Sequence, residues 1–211
     1  LFYSGEFNIN FLFISLVFGF LNIFLTNVIN FYDGADLNVS FLIIILSIII
    51  YTISANFVNF QTISLSIIAF VIGFTFLNAK AKSIYFGDSG CFVFSCIIIY
   101  FIVNQVVNES DNFFYLLIGL SLPIVDVLNV IFLRLSKGES LLSRNYYHLY
   151  QIIQKKFNNH IYLLIQPINC ILLIIIFNNL DLFNLYILVF ASFLITMIYY
   201  YVCYYLISKL K

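Results

Sequence analysis

Three stretches of this chain carry residues able to do chemistry. The first is Asn27-Val-Ile-Asn30-Phe-Tyr-Asp33-Gly34-Ala-Asp36, where two amides and two carboxylates close one apolar run and open the next turn. Such a set can hold a divalent cation, or the hydroxyls and base of a nucleotide. The same residues also end helices and cap turns, and spacing alone does not separate the two readings. The second is Asn78, then Tyr85-Phe86-Gly87-Asp88-Ser89-Gly90. Glycines beside an acid at a loop-to-helix junction let backbone approach a phosphate, and the helix start offers free N–H groups. Asp88 is the candidate ligand for Mg²⁺, which keeps waters and uses one or two carboxylates plus substrate phosphates. An Asp-Ser cap with turn glycines is the plainer alternative. The third runs from Arg134-Leu-Ser-Lys137-Gly138-Glu139-Ser140 to Arg144-Asn145-Tyr-Tyr-His148-Leu-Tyr150-Gln151. Its cations suit phosphates, and they equally suit a basic loop that only sets membrane topology.

The elements that must position these residues are apolar. Of 211 residues, 64% are hydrophobic and 9% charged, with a mean hydropathy of +1.08. Soluble domains carry roughly 25% charged residues, so this chain cannot cover a globule in water. Formal net charge is zero, which leaves no basic field for nucleic acid. Seven apolar segments follow, at about 11–29, 38–55, 61–78, 90–107, 113–133, 161–178 and 182–207, near the ~20 residues that cross a bilayer. The expected fold is therefore all-α: one polytopic membrane bundle over residues 1–211, with about seven spans and a cytoplasmic loop at about 134–160. Pro123 and Pro167 fall inside apolar segments, where neighbouring helices can absorb a kink. From Leu149, apolar residues recur at Ile152, Ile153 and Phe157, which predicts an amphipathic helix at the inner membrane surface. Cys91, Cys96, Cys170 and Cys203 lie in apolar runs without metal or disulfide spacing and read as packing residues.

With seven crossings, Lys80, Lys82, Arg134, Lys137, Arg144, Lys155, Lys156, Lys209 and Lys211 share one side. The other side holds only Glu6, Glu109, Asp111 and Asp181. This is the positive-inside pattern. It places all three polar stretches on the cytoplasmic face. Asp126 lies eight residues before Arg134, about 12 Å deep along a helix, and should face the bundle interior. A transporter would need further ionisable residues along a path, and only Asp126 qualifies.

In order and spacing, these stretches resemble the polyprenyl-phosphate N-acetylhexosamine-1-phosphate transferases, glycosyltransferase family 4. An N-x-x-N-x-x-D-G-x-D-G motif is matched by Asn27, Asn30, Asp33, Gly34 and Asp36, with Leu37 in place of the final Gly. An Asn ten residues before the Asp of F-M-G-D-x-G is matched by Asn78, Phe86 (in place of Met), Gly87, Asp88 and Gly90. Pro123 and Asp126 match P-x-x-D. Arg134, Lys137, Gly138 and Ser140 match a basic stretch, and His148-Leu-Tyr150-Gln151 matches the family's His motif. The resemblance spans roughly Leu21 to Gln166. Its His-x-Tyr-Gln form resembles the branch that initiates O-antigen more than the phospho-N-acetylmuramoyl-pentapeptide transferases of peptidoglycan synthesis. Tyr146 stands where the family has Arg.

The resemblance implies an enzyme that moves a sugar 1-phosphate from a UDP-N-acetylamino sugar to undecaprenyl phosphate and releases UMP, in the bacterial inner membrane with its site facing the cytoplasm. It implies Mg²⁺, with Mn²⁺ as a substitute, held by Asp88. Asp33, Asp36 and His148 become the catalytic set, and Asn27, Asn30, Asn78, Lys137 and Arg144 the substrate-binding set. Membrane lipid surrounds it, and a homodimer is left open. The family also has an Asp-Asp pair further N-terminal, and this chain opens at Leu1 without an initiator Met. The expectation is therefore an N-terminally truncated parent, inactive as 211 residues alone. The rival reading is a non-catalytic remnant of such an enzyme.

Overall fold

The computed structural model describes residues 9–54, 57–81, 84–108, 112–140, 146–157, 160–177 and 185–209. All regular structure among them is helical. The order is α1 (Ile9–Tyr32), α2 (Asn38–Ile53), α3 (Val58–Ala81), α4 (Gly87–Val107), α5 (Phe113–Ser136), α6 (Leu149–Phe157), a 3-10 segment (His160–Leu164), α7 (Ile165–Phe177) and α8 (Leu185–Lys209). The seven apolar segments expected from the sequence and the amphipathic helix from Leu149 each correspond to a helix.

Six stretches are long and apolar enough to cross a membrane: those of α1, α3, α4 and α5, the 3-10 segment with α7, and α8. The exception is α2, with 16 residues. At 1.5 Å per residue it reaches about 24 Å, short of the ~30 Å hydrocarbon core. It packs against α3 on one side and α5 on the other, and Leu42, Leu46 and Ile50 are buried there.

α5 is the hub. It touches α1, α2, α4, α7 and α8, and 67% of its span is buried, against 11% for α3 and 17% for α8. The outer helices turn Phe20, Phe70, Phe76, Phe190 and Ile198 outward. An apolar exterior of this extent is a lipid-facing surface.

Three features of α5 explain its course. Pro123 has no N–H for the carbonyl of Gly119, four residues back. Gln166 of α7 donates its Nε2–H to that carbonyl at 2.5 Å, so the neighbouring helix fills the gap. Gly119 also lets α2 close in, since a Cβ there would lie 2.7 Å from Leu46 Cδ2. At its end, Gly138 takes φ +66. Its N–H donates to Leu135 O at 3.2 Å, and the Glu139 N–H donates to Arg134 O at 2.9 Å. This is a Schellman cap, so the Lys137-Gly138 pair terminates α5. Pro167 lies in the first turn of α7, where a missing N–H costs nothing.

Candidate functional site

The C-terminal ends of α1, α3, α5 and α8 meet the N-terminal ends of α2, α4 and α7 at one pole of the bundle. Cross-links between distant segments fix this. Asp33 bonds to Gly87, Asn78 to Leu37, Tyr150 to Phe31, Tyr162 to Asp36, and Lys156 to Ile207. All three polar stretches therefore share one end.

The core of the site joins α1 to α4. The Gly87 N–H donates to Asp33 Oδ2 at 2.8 Å, and Asn30 Nδ2–H donates to Asp88 Oδ1 at 2.8 Å. Phe86, at the N-cap of α4, offers no side-chain cap, so Asp33 caps this helix from across the bundle. Gly87 adopts φ +64, the left-handed region that glycine enters without penalty. The Phe86 ring anchors the loop, 4.0 Å from the Phe74 ring and 5.2 Å from that of Phe94. A Cβ on Gly90 would meet Phe86 Cβ at 3.0 Å.

Asp33 is buried and Asp88 is exposed. Burial pushes the Asp33 carboxyl above the usual carboxylate range. The Gly87 and Phe86 N–H groups pull it back in part, and the neighbouring Asp88 charge raises it further. Two carboxylates close enough to repel suit a shared cation. Among the described residues no group of three or more His, Cys, Asp or Glu could cage a metal. The carboxylates of Asp33 and Asp88 are donors of the type that a Mg²⁺ ion keeping its own waters uses, one or two at a time.

The turn between α1 and α2 is held from several sides. Asn78 Oδ1 accepts the Leu37 N–H at 2.6 Å, and Asn78 Nδ2–H donates to Ile84 O. Asn78 is thus a clamp between the 33–37 turn and the loop before α4. Leu37 has φ 65, a left-handed backbone in which a side chain costs roughly 1–2 kcal/mol. This is the position where the resembled motif carries Gly, and the backbone supplies the reason. Asp36 is half-buried, and its carbonyl accepts the Tyr162 hydroxyl at 2.7 Å.

The third stretch closes over the same turn. Asp126 of α5 is 1% exposed and His148 3%. His148 Nδ1 lies 2.8 Å from Asp126 Oδ2, and the Leu149 N–H donates to Asp126 Oδ1 at 2.9 Å. The His148 ring packs between Phe31, with centroids 5.4 Å apart, and Tyr150, at 5.6 Å. The Tyr150 hydroxyl donates to Phe31 O, and burial raises its pKa well above the phenol range. Gly34 is required by this approach, since a Cβ there would lie 2.5 Å from Tyr150 Oη.

The structure thus brings together Asn30, Asp33 and Asp88, holds Asp36 and Asn78 in the adjoining turns, and sets His148 against α1 and α5. Asn27 is exposed, and its Nδ2–H donates to Ile23 O of its own helix at 2.8 Å. Lys137 is exposed, with Nζ 4.2 Å from the Tyr147 ring centroid. Arg144 lies outside the described residues. Sequence reasoning missed the grip of Tyr150 on α1 and of Tyr162 on Asp36. Both are phenols in apolar company, a signal drowned by 16 tyrosines.

A profile of Glycosyl transferase family 4 matches residues 1–106, which include α1 to α3, all but the last residue of α4, and both acid motifs. The chain belongs to this family. No curated protein and no solved structure matches it significantly. Family 4 membership makes it a glycosyl phosphotransferase-type enzyme of the membrane, with a nucleotide-sugar donor and a prenyl-phosphate acceptor. The matched half holds Asn30, Asp33 and Asp88. Asp126 and His148 lie beyond it and join the site through the contacts above.

Proposed function

We propose that the family 4 protein transfers a sugar 1-phosphate from a UDP-N-acetylamino sugar to undecaprenyl phosphate, at the cytoplasmic face of the bacterial inner membrane, for O-antigen or a related envelope glycan. The observation that carries this reading is the convergence of Asn30, Asp33 and Asp88 at the N-terminus of α4. Two carboxylates there would draw a divalent cation, and the cation would draw the phosphates of the donor.

In the reaction an oxygen of the lipid phosphate attacks the phosphorus that bears the sugar. The bond from that phosphorus to the UMP oxygen breaks, and UMP leaves with the electron pair. Mg²⁺, or Mn²⁺ in its place, would be held by Asp88 with Asp33 beside it, and supplies screening of the two anions and of the leaving phosphate. Asn30 orients the Asp88 carboxylate. Asp33 and Asp36 fix the turn that receives the nucleotide, and His148 contacts the diphosphate or sugar. Lys137 and Arg144 attract phosphates. The acceptor phosphate is tethered to lipid and cannot leave the interface, which agrees with a site at one pole of an apolar bundle. The described cations Arg134, Lys137, Lys155, Lys156 and Lys209 fall at this pole, which supports a cytoplasmic orientation.

The His148-x-Tyr150-Gln151 form favours a donor without a peptide. The test gives the full-length protein, with undecaprenyl phosphate and Mg²⁺, either UDP-N-acetylglucosamine and its epimers or UDP-muramoyl pentapeptide. Lipid-linked product is expected from the amino sugars alone. Turnover of the peptide-bearing donor would overturn the branch assignment.

A further inference from the structure

We propose that Asp126 is a positioning residue whose carboxylate fixes the ring orientation and tautomer of His148, presenting Nε2 as the working nitrogen. The inference rests on the proposed transferase reading for its activity arm. Its structural arm does not depend on that reading.

Both side chains are almost wholly buried, so water does not compete for the contact. An ionised carboxylate has no proton to give. In the proposed arrangement Asp126 is the ionised partner, and the nitrogen 2.8 Å from its Oδ2 is the Nδ1–H donor. A neutral ring then has its lone pair on Nε2, and a charged ring has a second N–H there. Either form can serve a phosphate or sugar oxygen, as base or as donor. The other carboxylate oxygen accepts the Leu149 N–H. Asp126 therefore holds both the ring and the backbone that carries it. Phe31 and Tyr150 flank the ring and leave little freedom to rotate.

A carboxylate inside a membrane span is costly without partners. Here Asp126 stands on α5, three residues past the Pro123 opening that Gln166 fills. A structural polar group could serve packing with Asn or Gln. The carboxylate is needed because it has acceptors on both oxygens. In Asp126→Asn, if the amide oxygen keeps the Leu149 N–H, the NH₂ faces Nδ1. The ring must then present a bare Nδ1 and carry its proton on Nε2.

The experiment is ¹⁵N NMR of histidine-labelled full-length protein in nanodiscs, paired with transfer kinetics. The wild type should show His148 with Nδ1 protonated, and Asp126→Asn should show the Nε2–H tautomer. Turnover should fall about 100-fold or more, as for other orienting carboxylates, with the donor KM nearly unchanged. A wild-type His148 with bare Nδ1 would overturn the proposal even if no variant folds. A variant with switched tautomer and wild-type turnover would also overturn it. Absence of transferase activity in the wild type, with Nδ1 protonated, would instead refute the transferase reading and leave the orientation of the ring standing.

Discussion

At the residue scale, the site is a set of exchanges between side chains and the backbone of another helix. Asp33 shows the tension most clearly. Burial and the nearby Asp88 raise its carboxyl above the usual range. The folded state then binds the proton more tightly than the unfolded chain. That contribution is present below the unfolded pKa of about 3.9 and is lost as pH rises through the raised folded value. At neutral pH and without divalent cation, ionised Asp33 therefore weakens the fold. Asp33→Asn, which keeps an acceptor for the Gly87 N–H, should melt at a higher temperature than wild type in chelator-treated membranes at pH 7, while transfer is lost. A lower melting temperature would mean that the charge stabilises the turn. Leu37 carries a comparable conflict, a branched side chain on left-handed backbone, set beside the acids it helps to place.

At the element scale, the helices and their polarity were legible in the sequence, and several contacts of the site were not. Apolar run length located α1 to α5, α7 and α8, and the recurrence from Leu149 located α6. Asp126 was legible as an acid that must face inward, because its depth follows from its place in the run. Its partner was not, because a contact with His148 arises from packing across a 22-residue separation. Asn27 and Asn30 share a motif, yet one bonds to its own helix and the other to α4. Helix phase decides that, and spacing alone does not. Gly34 reads as a turn glycine, while the structure requires it for the approach of Tyr150. Pro123 was expected to be absorbed by a neighbour, and Gln166 is that neighbour. Gln166→Leu should leave the Gly119 carbonyl unpaired in a buried setting and destabilise the protein by about 1–2 kcal/mol. With Pro123→Ala the helix regains its own N–H, so the same substitution should cost less, measured as coupling in a double-mutant cycle. Equal costs in both backgrounds would remove the proline from the explanation.

At the scale of the whole molecule, alternating helix ends gather the described acid and His motifs at one pole and leave the C-terminal ends of α2, α4 and α7 at the other. In the orientation proposed from the basic residues, the first pole faces the cytoplasm. A cysteine introduced at Asn108, after α4, should react with an impermeant reagent added to intact cells. One at Glu139, past the α5 cap, should react only after permeabilisation. Reaction at Glu139 from outside would reverse the orientation. In the proposed reading, the Asn30, Asp33 and Asp88 cluster is a phospho-sugar transfer site served by a divalent cation. Exchange of labelled UMP into a UDP-N-acetylamino sugar by full-length protein in membranes tests it directly. Wild type should exchange only with Mg²⁺ or Mn²⁺, and Asp88→Asn should not exchange at any Mg²⁺ concentration, because an amide lacks the charge. Near-normal exchange by Asp88→Asn would reduce Asp88 to a residue in the first turn of α4 and rule it out as the cation's ligand.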